Sequence, residues 1–295
     1  MSEHILVAFD GAEHAESALL YAIDAFPDAS ITVITVADVL GDPTVDPTKV
    51  AAQREELERR ARETLDAAKA LAADRDREIE TVVRVGVPHR DVVEFATESS
   101  VDRIVLGGHG RTTIDHPFLG DVSETIVRRA SVTTTLVPLE RAAYESMALD
   151  GSVLVAVDGS PQATAALEYA VSRFPDADVT ALHVVGLPFE YSRHELEDSP
   201  WKRLLSGLTE RGESVLESTL SDADVGDASV ETALTYGKPP QSIVDYGLDY
   251  AFDQVVMGIH GRSNRTRLLT GSVAETVARR AEFPVTFVRQ PHASD

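Results

Sequence analysis

The stretch Gln254–Ala281, QVVMGIHGRSNRTRLLTGSVAETVARRA, decides how this chain is read. The apolar run Val255-Val256-Met257 is followed by Gly258, two residues, Gly261, nine residues, and then Gly271-Ser272 opening a helical pattern. A strand thus ends in a glycine-rich loop that leads into a helix N-terminus. Such a start leaves backbone N–H groups without intrahelical partners, aimed at one point where an anion is welcome. Glycine lets the backbone take positive φ and approach a ligand closely. Ser272 can cap the helix and also offer its hydroxyl to a phosphate oxygen, and Ser272 with Glu275 forms a capping box whatever else it does.

Working outward, the stretch proves to be one of a pair. Gly107-Gly108-His109-Gly110-Arg111 recurs as Gly258-Ile259-His260-Gly261-Arg262, and VSETIVRRA at 122–130 recurs as VAETVARRA at 273–281. Earlier, ILVAFDG at 5–11 recurs as VLVAVDG at 153–159. Three ordered matches at nearly one offset mean duplication. The halves are read as domains 1–140 and 151–290, joined near Glu140 to Gly151.

Each half alternates short apolar runs with helical patterns. In the first, strands fall at His4–Asp10, Ile31–Val36, Ile79–Val85, Arg103–Leu106 and Val132–Val137. Helices fall at Ala12–Phe26, Pro47–Ala73, Pro88–Ser99 and Ser123–Ala130, Pro88 sitting where a helix starts best. The long helix carries Glu55/Arg59, Glu56/Arg60 and Glu58/Arg62 at i,i+4 spacing. The second half repeats the order, with strands near Val153–Asp158, Val179–Val185, Val230–Leu234, Gln254–Met257 and Val285–Val288, and helices starting near Pro161, Pro200, Pro239 and Ser272. Continuous apolar strands between helices predict an α/β chain of two doubly wound domains, each with a parallel sheet covered on both faces. In such sheets ligands bind beyond the strand C-termini where strand order reverses. The loops after the first, second and fourth strands meet there, bringing Asp158-Gly159-Ser160, Val184 to Leu187 and the Gly258–Ser272 loop together. A carboxylate at that edge suits the donors of a ribose or an adenine amine.

Composition limits the partners. With 49 acidic against 27 basic residues the chain carries a net charge of −22, which argues against nucleic-acid binding and against docking on anionic membranes. No run approaches the roughly 18 apolar residues of a membrane span, and no export leader is visible. The chain has no cysteine, which removes disulfides and thiolate metal sites and fits a cytoplasmic protein. An acidic, lysine-poor chain is also what strong internal salt, by screening self-repulsion, permits.

These residues resemble the universal stress protein family, over nearly the whole length and as two fused copies. The hallmark G-x2-G-x9-G-[ST] is complete at Gly258, Gly261, Gly271 and Ser272, and Val157-Asp158-Gly159-Ser160 is similar to the family's first strand end. The resemblance implies a sheet order of 3-2-1-4-5 and, in members bearing the hallmark, bound ATP with a divalent metal such as Mg or Mn. It also implies pairing of copies through strand 5, here within one chain as a pseudo-dimer, with further pairing of whole chains left open. Thr133 stands where its counterpart is Pro284, so such a pairing would not be symmetric. By match to the motif, Asp158 and Val184 would face adenine and ribose, while Gly261, Arg262, Gly271 and Ser272 would line the phosphates. Ala156, Val157, Gly258, His260 and Val273 complete the expected site. The first-domain counterpart is Asp10, Val36, Gly107, Gly110, Gly120 and Asp121. There Asp121 replaces the Ser or Thr of the motif. A carboxylate roughly 5 Å from a phosphate charge costs about 3 kcal/mol at an effective dielectric near 20, so nucleotide is expected mainly in the second domain.

Plainer readings stand beside these. Glycines 258 and 261 can serve turns alone, Arg262 can be solvated, and His109 and His260 can pack locally. His183 reads as a core-edge histidine. Trp201, Leu204, Leu205 and Leu208 form an apolar stripe better suited to core than to a partner. No nucleophile elbow, H-E-x-x-H or other catalytic spacing is present. The expectation is an ATP-binding stress-response regulator rather than an enzyme. The rivals are a slow metal-dependent ATP hydrolase or phosphotransferase and a nucleotide-free scaffold.

Overall fold

The computed structural model describes residues 3–38, 50–108, 121–138, 151–187, 202–259 and 273–289, by backbone alone at 50–52, 121 and 202–205. Contacts divide the chain into two compact units, Met1–Met147 and Ala148–Asp295. The family of elements in each follows from the same sequence pattern.

In the first unit the order is β1 (His4–Ala8), α1 (Glu13–Ala25), β2 (Ser30–Asp38), α2 (Val50–Ala73), β3 (Glu80–Gly86), α3 (Pro88–Glu98), β4 (Arg103–Gly107), α4 (Asp121–Arg129) and β5 (Thr133–Val137). All pairings are parallel: β1 lies between β2 and β4, β3 flanks β2, and β5 flanks β4. The strand order is 3-2-1-4-5. Ile5, Leu6 and Val7 on β1 and Ile104 and Val105 on β4 are fully buried. Apolar residues run continuously there because helices cover both faces and no side of the strand meets water.

The second unit repeats this with β6 (Ser152–Ala156), α5 (Pro161–Arg173), β7 (Asp178–Gly186), α6 (Lys202–Asp222), β8 (Val230–Gly237), α7 (Pro239–Asp249), β9 (Gln254–Gly258), α8 (Val273–Arg280) and β10 (Val285–Val288). Here β6 lies between β7 and β9, β8 flanks β7, and β10 flanks β9, again all parallel. Each unit is therefore doubly wound, with its strand order reversing between β1 and β4 or between β6 and β9. That gap is where the site forms.

Several local expectations are adjusted. On α2 the Glu56–Arg60 and Glu58–Arg62 pairs form at 2.9 Å. Arg59 does not turn to Glu55: of the carboxylates three or four residues away on its side of the helix, it pairs with Glu56 at 2.8 Å and with Glu63. α4 runs Asp121–Arg129, starting two residues before the expected Ser123. Of the expected apolar stripe, Leu208 on α6 is half-buried; Trp201 lies outside the described residues, and Leu204 and Leu205 outside the described side chains. The strand-terminal Arg103 is fully buried, its Nε donating to Glu3 at 3.2 Å and its guanidinium 4.0 Å from the Phe26 ring centre. Nothing in the pattern of apolar residues announced that charge.

Candidate functional site

Both strand-end loops are built the same way. Asp10 and Asp158 lie just past β1 and β6, each followed by a glycine in the left-handed region, Gly11 at φ 83° and Gly159 at φ 79°. Each carboxylate accepts a hydrogen bond at Oδ1 from the N–H two residues on, Ala12 or Ser160, at 3.0 Å. This turn holds the carboxylate at the sheet edge. Ser160 then caps α5, its Oγ accepting from the Ala163 N–H at 3.2 Å, whereas Ala12 gives α1 no side-chain cap.

The first glycine of each motif has a packing reason as well as a loop reason. A Cβ on Gly258 would stand 2.4 Å from the Gln162 carbonyl oxygen on α5, and one on Gly107 would stand 2.5 Å from the His14 carbonyl on α1. The helix crosses so close to the strand end that only glycine fits. Val122 and Val273, at the starts of α4 and α8, close the far side of each site.

Between these parts each unit holds a cleft. In the second unit it encloses about 520 Å³. Val157, Val184, Ile243 and Met257 give it apolar walls, and Asp158, Gln162 and His183 are polar groups among its lining. Of the residues expected at the site, Ala156, Val157, Asp158, Val184, Gly258 and Val273 are brought together here. His260, Gly261, Arg262, Gly271 and Ser272 lie outside the described residues, as do Gly110 and Gly120 in the first unit. The first cleft is smaller, about 390 Å³, and is lined by Asp10, Val36 and Gly107 as expected. It also has a second carboxylate, Asp38 at the end of β2, where the matching residue of β7 is Gly186. Ser123 at the base of α4 donates its hydroxyl to the Gly107 carbonyl at 3.0 Å. The matching Ala274 has no such group.

Sequence reading missed Ile243 and Pro239 on α7, Gln162 on α5, and Asp38. The helix-start prolines 88 and 239 were the available signal, since each places the next turn of helix beside the strand ends. His183 sits on β7 as expected, but its ring has a defined bond: Nδ1 donates to the Val157 carbonyl at 2.8 Å. In the first unit the Thr35 hydroxyl donates to the matching Phe9 carbonyl at 2.7 Å. Among the described residues no three imidazole or carboxylate groups converge to hold a metal ion.

Known proteins resemble this chain over both of its halves. The family model described as the universal stress protein family matches residues 1–138 and again residues 151–289. The chain belongs to the universal stress protein family. A universal stress protein of Mycobacterium tuberculosis is 28% identical over 235 residues, covering 76% of this chain and 73% of its own. One from Mycolicibacterium smegmatis is 27% identical over 304 residues, covering 97% of this chain and 96% of its own. Among solved structures, a universal stress protein from Archaeoglobus fulgidus superposes with a TM-score of 0.73 at 21% identity, over 98% of this chain and 99% of that one. That likeness concerns the fold, which in this family member is the tandem form. No helix among the described residues is long and apolar enough to cross a membrane.

Proposed function

We propose that this universal stress protein is a regulatory module that binds ATP in its second unit, and that its first unit holds nucleotide weakly or not at all. The observation that carries this reading is the second cleft. Its 520 Å³ falls within the about 300–1,000 Å³ of small-molecule sites, which combine apolar walls with a few placed polar groups. It lies at the reversal of strand order, between the strand end that opens the G-x2-G-x9-G-S loop and the helix start that closes it.

The residues present fit an adenine nucleotide. Val157, Val184, Ile243 and Met257 offer flat apolar contact to a base. The Asp158 carboxylate, which lines the cleft, can accept from a ribose hydroxyl or an adenine amine. The N–H groups at the start of α8 are donors for phosphate oxygens, and by resemblance to the motif His260, Gly261, Arg262, Gly271 and Ser272, outside the described residues, would complete the site. A Mg or Mn ion bound with the phosphates would neutralise part of their charge. The chain's own part is to bind and orient.

The first cleft differs in ways that disfavour a triphosphate. Asp38 adds a carboxylate where Gly186 has none and the volume is smaller; in the sequence, Asp121 stands where the second unit's motif has Ser272. Like charges in a partly enclosed cleft repel more strongly than in water.

Mass spectrometry of small molecules released from purified, denatured protein, followed by titration calorimetry with ATP and Mg²⁺, tests the reading. The expected result is one ATP per chain. Two equal sites would overturn the asymmetry, and failure to bind ATP would overturn the nucleotide reading itself.

A further inference from the structure

Four positions of the packing layer that includes His183 and its counterpart Thr35 differ together, three matched by strand register and one by the helix alignment in which Thr64 beside Gly11 answers to Val215 beside Gly159. In the first unit they are Thr35 and Ala37 on β2, Val83 on β3 and Ala61 on α2; in the second they are His183 and Val185 on β7, Leu234 on β8 and Gly212 on α6. All three sheet residues are larger in the second unit, and the helix residue has lost its side chain. A Cβ on Gly212 would stand 2.6 Å from Leu234 Cδ1, 3.0 Å from Val185 Cγ2 and 3.2 Å from His183 Cδ2. Gly207 on the same helix would meet nothing within 4 Å, so the constraint is local to this layer. Glycine is among the least favourable residues in a helix interior. α6 therefore gives up helix stability to seat the larger sheet residues, the imidazole among them.

The carbonyl at the strand end does not require an imidazole. Thr35 bonds the Phe9 carbonyl at 2.7 Å as well as His183 bonds that of Val157 at 2.8 Å. What the imidazole adds is a second ring nitrogen. His183 lines its cleft, and Thr35 is not among the residues lining the other. With the Nδ1 proton committed to the carbonyl, Nε2 of the neutral ring is an acceptor.

We propose that His183 reads the nucleoside in the second cleft, its Nε2 accepting a hydrogen bond from a donor of the bound ligand, either the base amine or a ribose hydroxyl. This rests on the nucleotide reading above. The test is calorimetry with ATP, inosine triphosphate, 2′-deoxy-ATP and 3′-deoxy-ATP on wild type, His183→Thr and His183→Gln. Thr keeps the bond to Val157, as Thr35 does to Phe9. Wild type is expected to favour ATP over the analogue lacking the relevant donor: inosine triphosphate if the donor is the amine, a deoxy analogue if it is a hydroxyl. His183→Thr should bind ATP about tenfold more weakly, the loss of one hydrogen bond, and lose that preference while keeping its circular dichroism. His183→Gln, which retains a donor and an acceptor, should restore part of it. Unchanged preference ratios in a variant set whose wild type binds ATP would overturn the role of His183 alone. Absence of ATP binding by the wild type would overturn both readings. If His183→Thr does not fold, His183→Asn, which can keep the bond to the Val157 carbonyl but has no acceptor at the Nε2 position, decides by the same ratios.

Discussion

Gly258 ends β9 with its Cα against the Gln162 carbonyl, and Gly159 turns the chain at φ 79°. The two glycines answer to different physics, so their alanine variants should differ. Gly258→Ala drives a methyl to 2.4 Å from a backbone oxygen, which only a shift of α5 can relieve. It should cost roughly 1–3 kcal/mol. Gly159→Ala meets Val215 at an ordinary 3.4 Å, so its cost is the left-handed backbone alone, about 1–2 kcal/mol. Urea unfolding of both variants checks this, and ATP affinity should fall with Gly258→Ala because the cleft wall moves. Sequence reading gave Gly258 a loop role and could not see the packing role. The motif spacing is a one-dimensional property, and the approach of α5 is not.

Helix α2 shows how an element's surface charges respond to its length. Glu56 bonds both Arg59 and Arg60, which hold its carboxyl down from its ordinary 4.5 to about 2. A depressed carboxylate pKa stabilises the folded state above the unfolded value and loses that contribution as pH falls. Wild type should therefore exceed Glu56→Gln in thermal midpoint near pH 6. The gap should close as pH drops from about 4.5 to about 2. The groups are exposed and the effect is small, so added salt should shrink it further. Thermal scans at paired pH and salt check both statements. The i,i+4 spacing was legible for Glu56/Arg60 and Glu58/Arg62. Arg59's choice of Glu56 and Glu63 over Glu55 was not, because several carboxylates lie within reach and side-chain geometry selects among them.

Over the whole molecule, the two units share one plan, and among their differences are charged residues at the cleft and the loop motif. If Asp38 and Asp121 are what disfavour phosphate in the first cleft, Asp38→Gly with Asp121→Ser should raise ATP stoichiometry from one toward two per chain. Calorimetry reads this directly. An unchanged stoichiometry would assign the difference to the smaller volume instead. Asp121 was visible as a departure from the motif. Asp38 was not, since it matters only once β2 ends beside β1 and turns that residue into the cleft.

The sequence by itself determined the duplication and the doubly wound class, and its motif resembled the family to which the chain belongs. Duplication and class follow from repeats and periodicity, which survive in one dimension because each strand and helix is a local object. Only the tertiary structure decided that Gly258 is a contact glycine, that His183 belongs to the cleft with Gly212 behind it, that Asp38 makes the first cleft doubly acidic, and that Arg103 is buried against Phe26. Each of these depends on residues far apart in the chain meeting across a sheet or a helix face. No local pattern records such a meeting.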